Sequence, residues 1–262
     1  VSVQLEALAD EVFEAAAAQA KLGAQLRRMG YGDAIWNADY PDLYFLNGIE
    51  RLVAPDWSVE DFERALHELM PEVRRFRALS RDPRTVAALG PRLVAAGYHH
   101  DLRVGMVQSF PSEPSTNSGS PESEVLPVAD PESWADLEKS LETDGREHGW
   151  TQSMIRKLAA LTRWRAANTP HRYFLAYRAG RPVGHVGLFR HGPTAYLHAL
   201  YTWPGDRRHG VGRDLTLAMS KESRSMACNR LTLQCSADGY LPRFYARLGF
   251  RPVGEQHVWT KA

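Results

Sequence analysis

The hexapeptide Arg207-Arg208-His209-Gly210-Val211-Gly212 places two arginines and two glycines between an apolar strand-like run and a helix-like run. The first amides of a helix have no intrahelical partner and point outward, with the positive end of the helix dipole behind them. Such an end is suited to phosphate. Glycine at 210 and 212 lets a bulky anion approach the backbone, since neither position projects a Cβ. Arg207 and Arg208 add charge at the mouth. The same residues also suit a plain loop that needs Gly210 for a positive φ, its arginines merely solvated. Two known phosphate loops are excluded: there is no Gly-Lys-Ser/Thr ending, and the spacing is not Gly-x-Gly-x-x-Gly.

Other residues nearby carry chemistry. His198 lies in the apolar run Ala195–Thr202, two residues before Leu200 and on the same face if the strand alternates. Neutral imidazole titrates near neutrality and can accept an ammonium proton directly or through water. A strand histidine is equally at home as a hydrogen-bonded core residue. His185 reads as a structural histidine, and Glu147 and His148 read as solvated loop charges between two helices. Cys235, at a strand end, reads as a small buried apolar residue rather than a nucleophile.

The elements that must position these residues alternate clearly in the second half. Helical spacing covers Trp134–Leu141 and Gln152–Ala166. Tyr173–Tyr177 and Val183–Phe189 form a hairpin across Arg178-Ala-Gly-Arg-Pro182, and Ala195–Thr202 is a third strand. A helix over Val211–Ser225, a strand over Leu231–Cys235, a helix over Tyr240–Leu248 stopped at Gly249, and a strand at Val258–Thr260 complete it. The order α-α-β-β-β-α-β-α-β predicts a mixed sheet with helices packed on it, an α/β (α+β mixed-sheet) fold.

The first half is less regular. Leu5–Met29 reads as one amphipathic helix, 42–53 as strand-bearing, and Ser58 as the cap of a helix through Met70 with Asp61 as its capping-box partner. A helix over Arg84–Ala96 leads through Gly97-Tyr98 to a strand at Leu102–Val107. Between the halves, Pro111–Ser123 has no periodicity and little to bury, so it reads as a linker. The expected organisation is an N-terminal domain over 1–110, a linker over 111–123 and a second domain over 124–262. Ala96-Gly97-Tyr98 and Leu248-Gly249-Phe250 sit alike between helix and strand, a weak internal repeat. The first half has no counterpart of the hexapeptide and is expected to be catalytically empty.

Bulk properties narrow the partners. The 262 residues carry a formal charge of +1, with 44% hydrophobic and 24% charged residues, so no basic excess suggests nucleic acid. Cys228 and Cys235 fit no disulfide framework or zinc spacing, so no metal is expected and a reducing, cytoplasmic setting is. No apolar run reaches the roughly 18 to 20 residues of a membrane span. The N-terminal stretch, punctuated by Glu6, Asp10, Glu11 and Glu14, is unlike a signal peptide.

The hexapeptide resembles the Arg/Gln-x-x-Gly-x-Gly/Ala signature with which the GCN5-related N-acetyltransferases, the GNAT superfamily, bind the pyrophosphate of acetyl-coenzyme A. The resemblance spans about 123–262. It implies that Arg207, Arg208, His209, Gly210, Val211, Gly212 and Arg213 hold the donor, with Leu200, Tyr201 and Thr202 on the preceding splayed strand. Leu200 and Thr202 would give backbone bonds to the pantetheine arm, and an amide near Leu200 would hold the oxyanion. Arg243-Phe-Tyr-Ala-Arg-Leu-Gly-Phe250 is similar to the family's Phe/Leu-Tyr-x-x-x-Gly-Phe segment, which makes Tyr245 the general acid towards the departing sulfur. Otherwise Tyr245 is a core tyrosine of its helix. Leu93 takes its place in the first half. The strand Leu197-His-Ala-Leu200 resembles that of arylalkylamine N-acetyltransferases, which makes His198 the base, although Tyr196 replaces that family's second histidine. The implied activity is acetyl transfer from acetyl-coenzyme A to a primary amine in a ternary complex; a non-catalytic acyl-coenzyme A-binding module is the other reading. The acceptor is a small-molecule or protein amine, and the chain a monomer or homodimer. The first half would be a degenerate GNAT-like or helical α/β domain.

Overall fold

A computed structural model describes residues 2–110 and 122–261; most of the expected linker, 111–121, lies outside them. The elements in chain order are α1 (Ser2–Lys21), β1 (Gln25–Met29), β2 (Gly32–Trp36), β3 (Gly48–Glu50), α2 (Val59–Leu69), β4 (Phe76–Ser80), α3 (Pro83–Ala88), α4 (Gly90–Ala95) and β5 (His99–Ser109). There follow β6 (Glu124–Pro127), α5 (Pro131–Glu147), α6 (Gln152–Asn168), β7 (His171–Arg178), β8 (Arg181–His191), β9 (Thr194–Thr202), α7 (Val211–Ser225), β10 (Arg230–Ser236), α8 (Leu241–Arg247) and β11 (Arg251–Lys261). Contacts group them into two compact units, Val1–Gly105 with Gln234–Pro242 and Pro252–Ala262, and Met106–Leu233 with Arg243–Arg251. Two segments expected in the second domain therefore group with the first unit.

In the first unit β1, β2 and β3 form an antiparallel meander, and β4 runs parallel to β3 after the crossover helix α2. The last strand, β11, pairs antiparallel with β4, from His257 opposite Ser80 to Lys261 opposite Phe76. Ile49, Phe62, Leu66, Leu89, Leu93 and Trp259 meet in one fully buried cluster. The helix expected over Leu5–Met29 stops at Lys21, and Gln25–Met29 is an exposed edge strand instead. The Arg84–Ala96 helix is two short ones, because Pro91 cannot donate to the turn before it and the chain restarts at Gly90. The capping box of α2 is present: Ser58 Oγ accepts from Asp61 N at 3.1 Å, and Asp61 Oδ2 accepts from Ser58 N at 3.1 Å.

In the second unit β6, β7, β8 and β9 are antiparallel neighbours and β10 runs parallel to β9 after α7. Helix α5 packs on β7 through Leu137, Leu141, Tyr173 and Leu175, all buried. Asp130 caps α5 and Thr151 caps α6, each accepting from an amide of the first turn. The parallel pairing of β9 and β10 is short, covering only Thr194–Tyr196 against Arg230–Thr232. From Leu197 onward β9 is paired, among the described residues, on its β8 side alone, and that edge leads to the hexapeptide.

Candidate active site

The hexapeptide forms the N-terminus of α7 and leaves it open. Gly210 is the N-cap at φ 81°, a left-handed conformation that glycine takes at little cost, and no side chain caps the helix. Arg208 is also left-handed, at φ 66°, which costs a non-glycine residue on the order of 1 kcal/mol. Backbone that alternates in this way turns successive amides to one side and makes an anion-binding concavity. None of the amides of Arg208, His209, Gly210, Val211 and Gly212 has an acceptor among the described residues. The loop is fixed from behind: Arg178 donates to the His209 carbonyl, to Glu122 Oε2 at 3.0 Å and to Ser123 Oγ at 2.9 Å. The buried Asp214 carboxylate accepts from the amides of Glu122 and Ser123 and from the Arg213 guanidinium. Arg178 and Asp214 escaped the sequence reading, which saw only turn chemistry in Arg178-Ala-Gly and did not single out Asp214.

The α2 helix occupies the same place in the first unit, as crossover between two parallel strands, but its own Ser58 and Asp61 fill its N-terminus. The contrast gives a physical basis for expecting no donor site there.

At Gly212 three separate segments meet. A Cβ placed there would lie 3.5 Å from the Phe244 ring, 3.8 Å from Leu200 Cδ2 and 3.8 Å from Thr202 Oγ1. The start of α7, the free edge of β9 and helix α8 thus converge. Trp203 N donates to Val183 O, so the ladder's alternation turns the Thr202 peptide groups to the free edge. The Thr202 carbonyl there accepts from Arg207 Nε at 3.1 Å. Tyr245, next to Phe244, is buried, its ring 4.9 Å from Phe244 and 5.6 Å from Phe250.

The assumed alternation of β9 fails at Ala199. Its φ is 49°, and the register passes from Gly187↔His198 to His185↔Tyr201, so two residues, Ala199 and Leu200, oppose Val186. This β-bulge inverts the faces beyond it. His198 and Tyr201 therefore share the face towards α5, while Leu200 and Thr202 face α7. Nothing in the residue types marks a bulge, because alanine has no preference for positive φ.

On the α5 face the His198 ring lies over Gly187, where a Cβ would sit 2.4 Å from its Cε1. Burial and the neighbouring His171 hold its basicity well below the usual histidine range. His185 is wholly buried, with Nδ1 2.8 Å from Ser140 Oγ and Nε2 3.9 Å from Asp144 Oδ2, and burial lowers its pKa to about 4. Glu147 is no loosely solvated charge: its Oε2 accepts from Tyr201 Oη at 2.8 Å and from Arg207 Nη2 at 2.5 Å, which hold the carboxyl below its ordinary range. Asp144 is raised by burial, and His148 Nδ1 lies 2.9 Å from its backbone carbonyl and 3.0 Å from its carboxylate. Burial pushes the Cys235 thiol up to about 11, so it is no ready nucleophile.

Residues 133–250 match the model of the acetyltransferase (GNAT) family. No curated protein matches the sequence. The fold is shared over nearly the full length with solved structures of low identity. A functionally unknown conserved protein from Staphylococcus epidermidis is 10% identical with a TM-score of 0.70, covering 91% of this chain and 94% of that one. A GCN5-related N-acetyltransferase from Kribbella flavida is 17% identical with a TM-score of 0.62, covering 95% of each chain. A tandem GNAT protein from the clavulanic acid biosynthesis pathway is 16% identical with a TM-score of 0.53, covering 91% of this chain and 83% of that one.

Proposed function

We propose that the chain transfers the acetyl group of acetyl-coenzyme A to a primary amine by direct attack within a ternary complex. The observation that carries this reading is the row of amides from Arg208 to Gly212 without an acceptor among the described residues, set beside the edge of β9 at Thr202 that no described strand pairs. The pyrophosphate fits the amides, with Arg207 and Arg208 as counter-charges, and the pantetheine arm fits the strand edge.

The donor supplies a thioester. The amine nitrogen forms a bond to its carbonyl carbon, the carbon–sulfur bond breaks, the nitrogen loses a proton and the sulfur gains one. Tyr245 is assigned the proton donated to sulfur, and His198 the proton taken from nitrogen. The amide at the bulge near Leu200 is assigned the oxyanion. His198 lies on the face of α5 and the donor loop on the face of α7, so the acceptor enters from the α5 side, where Glu147 and Asp144 lie.

The experiment is thiol release from acetyl-coenzyme A across a panel of small amines, amino acids, aminoglycosides and lysine peptides. Release that depends on one amine supports transfer. Tight binding of acetyl-coenzyme A with no release on any amine would mark a non-catalytic acyl-coenzyme A-binding module.

A further inference from the structure

Helix α1 carries Ala7, Asp10, Glu11, Glu14 and Ala17 at the i, i+3, i+4, i+7 and i+10 spacing of a single helix face. Together with Phe13, with Glu50, Arg51 and Leu52 at the end of β3, and with Gln256 of β11, this stripe lines a cavity of about 680 Å³. A helix stripe that borders a sheet is ordinarily apolar. Here its middle is acidic, and an alanine at each end leaves room. The whole cavity belongs to the first unit, and its size suits a small organic ligand.

Alternation along β11 fixes the direction of Gln256. Trp259 joins the buried cluster on the α2 side and His257 stacks on Trp259, so Gly254 and Gln256 face α1. A Cβ at Gly254 would indeed lie 2.9 Å from Ala9 Cβ of α1. Gln256 is 4% exposed, and its Oε1 is buried with no hydrogen-bond partner among the described residues. Arg81, on the same lining, does not serve it: its Nη1 donates to Asp10 Oδ1 at 2.5 Å, and its guanidinium lies over the Phe13 ring. A buried acceptor without a donor is costly, and a ligand N–H would relieve it.

Charge points to the same kind of ligand. Asp10, Glu11, Glu14, Glu50 and Asp82 line the cavity against Arg51 and Arg81. With Arg77, which bonds Glu50 at 2.6 Å, the tally is five carboxylates against three guanidiniums, an excess of two negative charges. Glu14 meets Arg51 only at 3.4 Å, with both side chains about half exposed, while Arg51 is held at 2.5 Å by Asp33. Such an exposed pair yields at little cost. No three of these acids converge on a metal position among the described residues, which favours an extended organic cation over a bare ion.

We propose that this cavity is a binding site for a small organic cation, an ammonium or guanidinium group carried on an apolar body. Gln256 Oε1 accepts from the cation, the α1 carboxylates supply counter-charge, and Phe13 and Leu52 flank the body. The site shares no residue with the donor loop and does not rest on the transfer reaction. It gives the first unit a ligand of its own, although that unit lacks the open helix start of α7.

The test is titration of the full chain with phenethylammonium, agmatine and spermidine, followed by calorimetry and by nitrogen NMR, with phenethyl alcohol as the neutral control. At least one cation should bind saturably and shift the Gln256 side-chain signals and the amides of α1, and the alcohol should not. Gln256→Leu, which removes the orphan acceptor at similar volume, should weaken that binding at least about tenfold. Glu14→Gln, at an exposed position, should weaken it about two- to fivefold, and it keeps the test decisive if the Gln256 variant does not fold. No saturable binding by any of the three cations, equal binding of the alcohol, or parent-like affinity in every variant that folds overturns the proposal. Saturable binding that shifts neither Gln256 nor α1 places the cation elsewhere and overturns it too.

Discussion

Leu93 and Tyr245 occupy the same position in two copies of one helix stop. The Tyr98 amide donates to the Leu93 carbonyl at 3.0 Å, and the Phe250 amide donates to the Tyr245 carbonyl at 3.1 Å. Between them Gly97 and Gly249 stand at φ 88° and 87°. Backbone geometry is thus repeated while the side chain changes from one that can only pack to one that can donate a proton.

Tyr245→Phe should therefore lower kcat by about 10- to 100-fold and leave the dissociation constant of acetyl-coenzyme A within about twofold. Stopped assays of thiol release and a binding titration separate the two effects. Unchanged turnover would remove the residue from the acid role.

Gly210→Asp tests the anion cradle. Aspartate would meet the left-handed φ of 81° at a cost of about 1 kcal/mol and put a carboxylate where phosphate is expected. Acetyl-coenzyme A affinity should drop at least about tenfold by calorimetry, and parent-like affinity would place the phosphates elsewhere.

Glu147→Gln acts in the opposite direction. The Glu147–Arg207 pair leaves the side chains 36% and 44% exposed, so it is worth no more than about 1 kcal/mol. Releasing Arg207 from it should tighten acetyl-coenzyme A binding about two- to fivefold. Weaker binding would show that Glu147 orients Arg207 for the donor rather than competing with it.

Stability should fall as pH drops from 7.5 to 5.5. Burial lowers the pKa of His171 to about 3 and that of His185 to about 4, both below the unfolded value near 6.5. The unfolded chain takes up protons through this window and the folded chain does not, so stability present above pH 6.5 is lost on acidification. Each residue contributes a loss on the order of 1 kcal/mol by pH 5.5. Urea unfolding at the two pH values checks it, and His185→Gln should reduce the difference, leaving the His171 part.

The readable parts of the chain were those where local chemistry and global fold agree. Ser58 and Asp61 announced α2, and the run from Ala195 to Gly212 announced β9, its loop and the start of α7. The strand Gln25–Met29 was hidden because both of its faces are largely exposed, which removes the apolar alternation that marks a strand. Phe76–Ser80 was hidden by brevity and by its interior arginine, Arg77, which is paired with the buried Glu50. The bulge at Ala199 and the pairing of β11 with β4 depend on tertiary partners that no local pattern encodes. The elements that carry the expected donor residues were therefore legible, while the face on which His198 lies was not.

The two crossover helices differ in how complete they are. Ser58 and Asp61 make α2 self-sufficient, and such a cap is worth about 1 kcal/mol. Helix α7 begins at Gly210 without that contribution, so its first turn is the less finished of the two. A ligand that binds there acts as a borrowed cap, and recognition and local folding become one event. Hydrogen exchange would register it as slowing at the start of α7 alone, with α2 as the unchanging reference in the same molecule.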